Sequence, residues 1–287
     1  MNSRTGLARS ALRAAMQMRR NLAISREAAV NAFDVARMIG IDIRFVDAPS
    51  LEGMFVRDPG LRILLPSLQH RPRARVLYSC AHEVGHQAFG HGTRADRYLE
   101  SASTAPVADD EFLADSFAGH LLMPRAAVMN AFARRDWSPD SMTPPQILTV
   151  AGELGVGYET LLTHMCVALE LISRPTRDRL IKVPPKSIKA EISGRDDQPV
   201  LVIADLAWKW VPIDAERGDL IALPTGTGSN CALLEHEFDR HPSSFYRATG
   251  VGQANLEIGG RTTAMRISRQ HYVGPYVNRY LTDPDEC

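Results

Sequence analysis

Between Val76 and Phe89 the chain is apolar with a helical period, and inside that run stands Ala81-His82-Glu83-Val84-Gly85-His86. This HExxH pattern restricts the possible folds more than any other stretch. Two imidazoles four residues apart on a helix stand one turn above each other, so both can reach one zinc ion, and the Glu beside the first can activate a water there. Leu77, Ala81, Val84 and Ala88 recur at spacings of four, three and four, which predicts the buried stripe and leaves His82 and His86 together on the adjoining face. Gly90 and Gly92 are stop signals. Cys80 precedes His82 by two positions, about 200° round the helix, and reads as packing rather than as a ligand.

A tetrahedral site needs a third protein ligand and an open fourth position. The candidate lies 25 residues beyond His86, in Asp109-Asp110-Glu111-Phe112-Leu113-Ala114-Asp115-Ser116-Phe117-Ala118, which runs on to Leu121-Leu122-Met123-Pro124. Glu111 and Asp115 share a helical face, while Phe112, Leu113, Phe117, Leu121 and Leu122 supply the buried side and Pro124 ends the segment. In isolation such a pair is a solvated acidic face, favoured at a helix start by the dipole. After an HExxH, Glu111 reads as the third metal ligand and Asp115 as an acid behind the ligands, because a metal-bound His usually gives its other N–H to a carboxylate.

HExxH followed by ExxAD, then Phe-Ala and Leu-Leu-Met-Pro, resembles the ImmA/IrrE metallopeptidases, a bacterial and phage branch of the gluzincins that shares the ExxxD arrangement with thermolysin. The resemblance covers roughly residues 25 to 171. It implies a cytoplasmic zinc endopeptidase with one Zn2+ per chain, held by His82, His86 and Glu111, with Glu83 as general base. It also implies a protein substrate, a helix-turn-helix transcriptional repressor whose cleavage switches on stress-response or mobile-element genes. One departure is Tyr78-Ser79-Cys80, where the family often has Phe-Thr-Leu. Tyr78 and His120 are the candidates for a donor to the tetrahedral intermediate. The competing readings are a zinc-site binding module and a DNA-binding regulator with little or no turnover. Glu83 favours the enzyme, since a binder needs no base.

With 287 residues, 45% of them hydrophobic and 23% charged, the chain can bury sizeable cores. Lysine plus arginine equals aspartate plus glutamate at 33 each, so no global field points to nucleic acid or membrane. Cys80, Cys166, Cys231 and Cys287 are scattered without CxxC pairs, as suits a reducing cytosol. No apolar run approaches a membrane span. The first 26 residues contain six arginines and no acid. That suits a transit peptide, but Leu7, Ala11, Ala15, Met18 and Leu22 form an ordinary packing stripe and predict a docked helix.

The expected class is α+β. A zincin-like metallopeptidase domain at 1–142 precedes a helix-turn-helix-like segment at 143–175, a basic linker at 176–198 and a β-rich C-terminal domain at 199–287 with a sensor or partner-binding role. In the first part, a helix near Ala28 to Met38 precedes a strand at Ile41 to Val46. Gly53 to Arg57 and Leu61 to Leu65 follow as a hairpin turning at Asp58-Pro59-Gly60. Leu61 to Leu65 is the candidate edge for an extended substrate. Between Ile147 and Leu171 the only charged side chains are Glu153, Glu159 and Glu170, so the helix pair reads as structural and direct nucleic-acid binding is not expected. Farther on, β-type runs are Val200 to Trp208, Gly218 to Pro224, Cys231 to Phe238, Phe245 to Gly250 and Thr263 to Ile267. His236 and His241 with Glu237 and Asp239 could form a second metal site, but loop polar residues explain them as well; His91, His120 and His271 receive the same ordinary reading.

Overall fold

A computed structural model describes residues 3–57, 60–92, 94–97, 108–196, 200–228 and 230–282, with the backbone alone for 94–97. The helices and strands run in the order α1 (Arg4–Asn21), α2 (Ala32–Met38), β1 (Asp42–Val46), β2 (Leu51–Val56), β3 (Arg62–Pro66), α3 (Arg73–Ala88), β4 (Arg94–Arg97), α4 (Asp109–Leu122) and α5 (Arg125–Ala133). There follow α6 (Pro144–Glu153), α7 (Tyr158–Val167), α8 (Arg174–Leu180), α9 (Pro185–Ser193), β5 (Leu201–Ile203), β6 (Ile213–Glu216) and β7 (Leu220–Pro224). The last are β8 (Leu234–Arg240), β9 (Ser243–Ala248), β10 (Gly252–Ile258), β11 (Arg261–Ser268) and β12 (Gly274–Pro275). The class is α+β, with mixed sheets. Two compact units result, one of Met1–Ala127 with His271–Val277, the other of Val128–Gln270 with Asn278–Cys287.

The first unit is built on a five-stranded sheet in the order β12-β1-β3-β2-β4. Strand β3 pairs in parallel with β1, Ile43 facing Ile63, and antiparallel with β2, Phe55 facing Ile63. The expectation that Leu61 to Leu65 offers an open edge is therefore overturned. The chain leaves β1, forms β2 on the far side and returns through the middle, so β3 has both its hydrogen-bonding edges occupied, with Ile63 and Leu65 fully buried. Asp58 and Pro59 of the expected turn lie outside the described residues. At the other end, β12 pairs antiparallel with β1 and seats the Tyr276 ring against Phe33 and Phe45, at 5.3 and 6.5 Å between centroids.

Helix α1 docks as its apolar stripe predicts, through Leu7, Ala11 and Ala15, with Ser3 as its N-cap. The next buried position is Arg19 rather than Met18. Its guanidinium donates to the carbonyls of Leu121 at 2.6 Å, Ser25 at 2.7 Å and Ala28, closing the C-terminal end of α4, where the helix dipole favours a cation. Burial holds the Arg19 guanidinium down at about 10.

In the second unit, α6 starts with a capping box between Thr143 and Gln146 and packs on α7. The basic stretch expected as a linker carries α8, capped by Ser173, and α9, with Pro185 at its first turn where a missing N–H costs nothing. One sheet runs β5-β7-β9-β8 over Leu220, Ala222 and Phe245; another runs β10-β11-β6. Gly259 and Gly260, at φ of 56° and 72°, form the tight turn that joins β10 to β11, Ile258 facing Arg261. In β8, His236 makes a surface pairing, its Nε2 standing 3.0 Å from Asp239 with both side chains about half exposed or more, in keeping with the ordinary polar reading of these residues.

Candidate metal centre

Helix α3 carries the two histidines and α4 the carboxylate, and the helices approach so closely because Gly85 sits at their crossing. A Cβ at Gly85 would lie 2.9 Å from the Ala114 Cα and 3.2 Å from the Phe117 ring. Glycine and alanine therefore bring the backbones together, and the side chains one residue or one turn away converge. His82 Nε2 stands 3.3 Å from Glu111 Oε2, His86 Nε2 3.5 Å from the same oxygen, and the two Nε2 atoms 3.1 Å apart. All three ligand atoms lie within 4.8 Å of one another.

That triangle has the size of a metal site. Ligands at about 2.0–2.1 Å from a tetrahedral zinc stand roughly 3.3–3.4 Å from each other, close to the three distances above. Two imidazoles and a carboxylate are also the donor set of a catalytic rather than a sealed structural site. His86 is fully buried and the Glu111 side chain is 29% exposed, so the cluster opens on the α4 side. A metal would be held by His82, His86 and Glu111.

Glu83 points elsewhere on α3 and is buried. Its carboxylate lies against β2 at Gly53, where an added Cβ would come within 2.5 Å of Glu83 Oε1 and 3.1 Å of Cδ. Only glycine leaves that space. The β2–β4 pairing also shifts register between Leu51 and Gly53. Gly53 escaped the sequence reading, although a glycine inside a strand pattern is the usual sign of a close approach.

Of the other expected residues, Asp115 is exposed and receives the Tyr78 hydroxyl, at 3.0 Å on its carboxylate and 3.2 Å on its carbonyl. Burial, then the Asp115 charge, raises the Tyr78 phenol well above its ordinary value. Tyr78 is one turn before His82 on the same helix face. His120 is buried on α4, and burial lowers its imidazole below the usual value. Nine residues beyond Glu111, it is turned about 180° and carried about 13 Å along the helix. Cys80 is buried, its thiol raised by burial and then by Glu83 and Asp34, and it contacts the Ala32 carbonyl at 3.7 Å. Ala88, expected in the buried stripe, is exposed; Val76, Leu77, Cys80, Ala81 and Val84 form the packed face instead.

His91, given an ordinary role by the sequence, stands beside the cluster. Its Nδ1 is 2.8 Å from His86 Nδ1, and its Nε2 is 3.5 Å from Asp110 Oδ1.

The family described as IrrE N-terminal-like domain matches residues 36–165, a span that includes β1 to β3, α3 and α4 and so every residue of the cluster. Among curated proteins nothing matches, and no solved structure matches. No described helix is long and apolar enough to cross a membrane. A two-histidine, one-glutamate cluster inside a matched peptidase domain carries one conclusion: residues 36–165 form an IrrE N-terminal-like domain of the metallopeptidase type, and the chain is a peptide hydrolase.

Proposed function

We propose that this is a cytoplasmic zinc endopeptidase that cuts a helix-turn-helix transcriptional repressor and so releases stress-response or mobile-element genes. His82, His86 and Glu111 hold one zinc, and Glu83 is the base. The observation that carries this reading is the convergence of the three ligand atoms within 4.8 Å, with the Glu83 carboxylate seated between α3 and Gly53.

When bound, the zinc supplies a Lewis acid that polarises the scissile carbonyl and makes water more acidic. Glu83 Oε takes the proton of the attacking water as its oxygen adds to the carbonyl carbon. The same carboxylate then delivers that proton to the amide nitrogen, the C–N bond breaks, and a carboxylate and an amine leave. Tyr78 belongs to this reading as a support of α4 through its hydrogen bond to Asp115.

The matched domain supports a peptidase, and the repressor is the finer step. The α6–α7 pair is taken as structural: α7 carries no arginine or lysine, and Glu153 of α6 is bound into an internal ion cluster. The β-rich region from residue 199 to 287 is taken as the part that receives a signal or a partner.

The test compares new protein N-termini in host cells producing the wild type or Glu83→Gln, with and without DNA damage or oxidative stress. Glu83→Gln is expected to keep its zinc and to lose about 10²–10⁴-fold in cleavage. A new terminus inside a helix-turn-helix repressor, present only with the wild type, identifies the target. Cleavage by Glu83→Gln at the wild-type rate removes Glu83 from its role, and identical termini under every condition discard the repressor.

A further inference from the structure

We propose that His91 and Asp110 choose the tautomer of His86, so that His86 presents a lone pair and not a proton to the metal position; this rests on reading His86 as a ligand. The argument starts from how α3 ends. Gly90 takes a left-handed φ of 69°, its N–H reaches the Gln87 carbonyl at 3.1 Å, and the His91 N–H reaches the His86 carbonyl at 2.9 Å. That is the Schellman pattern, in which the residue after the left-handed one folds back on the residue six positions into the ring. Here those two residues are both histidines. The motif therefore delivers the His91 ring against the His86 ring, at 5.1 Å between centroids, and Phe89 stacks on His91 at 5.8 Å.

Two ring nitrogens 2.8 Å apart hold one proton between them, since two protons or two lone pairs would repel. There are two ways to place it. With the proton on His91 Nδ1, neutral His86 carries its own on Nε2, the atom that faces His82 and Glu111, and its ligand lone pair is gone. With the proton on His86 Nδ1, its Nε2 is a lone pair, and neutral His91 carries its proton on Nε2. At that end stands Asp110 Oδ1, 3.5 Å away, and a carboxylate accepts but does not donate. Asp110 thus selects the second arrangement. It is also the residue before Glu111 on α4, so the helix that brings the third ligand also brings the acid that orients the second. His91 is then a positioning residue, with its side chain 11% exposed and its ring set between His86 and Asp110.

Two measurements test this. The first is the 15N spectrum of histidine-labelled, metal-free wild type, in which His86 should carry its proton on Nδ1. The second is zinc affinity by competition with a chelating dye. His91→Leu removes the acceptor and should lose about 10–100-fold, while His91→Asn, whose Oδ1 can stand where Nδ1 stood, should stay near wild type. A proton on Nε2 of His86, wild-type affinity in His91→Leu, or an equal loss in both variants overturns the proposal. If His91→Leu does not fold, the wild-type spectrum and His91→Asn still decide. A wild type that takes up no zinc, yet shows the Nδ1 proton, breaks the ligand assignment and leaves the tautomer chain standing.

Discussion

Each unit of this chain contains a largely buried cluster of charged and ionisable side chains, and the two clusters follow opposite rules. In the second unit, Glu153 accepts from Arg134 at 2.6 Å and is ion-paired with Arg135 at 2.8 Å, and Arg135 also grips Asp205 at 2.6 Å. Two cations meet two anions, so the charge closes inside the cluster. In the first unit, His82, His86 and Glu111 are all electron-pair donors aimed at one point. Such a set is improved by a cation from outside, whereas the arginine–carboxylate set is complete. Burial of ionisable groups therefore marks a binding site only when the members share the same donor character.

The largest effect expected from this contrast is on stability. Glu153→Ala leaves Arg135 with Asp205 as its remaining carboxylate and takes the carboxylate away from Arg134, and should cost about 3–5 kcal/mol. Trp137, Trp208 and Trp210 all belong to the second unit, so urea unfolding followed by tryptophan fluorescence reads that cluster. An unchanged midpoint would mean that the ion cluster is not what holds the region.

Gly53→Ala should act in the opposite sense, on turnover with little effect on metal uptake. The new methyl displaces the Glu83 carboxylate from β2, and a drop in kcat of about 100-fold, roughly 2.7 kcal/mol, is expected with zinc content intact. Undiminished cleavage would show that Glu83 does not depend on that space.

The smallest effect concerns His120. Its ring is held below the ordinary 6.5, so the folded state favours the neutral form. Above pH 6.5 both states are neutral and nothing is lost. As the pH falls below that value, the unfolded chain gains a proton that the folded chain resists, and stability declines. His120→Gln should flatten that decline in thermal melts; an identical slope would remove His120 from the acid response.

The parts legible in the sequence were those set by short-range periodicity. Spacing by four groups His82 with His86, and the same spacing between Glu111 and Asp115, following an HExxH, singles out Glu111, because a helix repeats locally. What escaped depends on contacts distant in the chain. No local pattern says that β3 returns between β1 and β2, or that Gly274 and Pro275, a two-residue strand, find β1. Other misses had a readable cause. Gly259-Gly260 is a hairpin turn signal, and Gly90 followed by His91 implies the fold-back onto His86. Proline at 184 and 185 suggested a linker, although proline also opens helices.

The strand at Gly274–Pro275 sets the order in which this enzyme can be completed. Helices α3 and α4 and four of the five strands of the first unit are encoded before residue 123, but the fifth strand comes only at residues 274–275. At ~5–20 residues per second, the interval between the end of β3 and the arrival of β12 is on the order of 10–40 s. Until residues 274–275 are made, the first unit can hold at most four of its five strands, and synthesis of residues 128–270 sets the length of that wait.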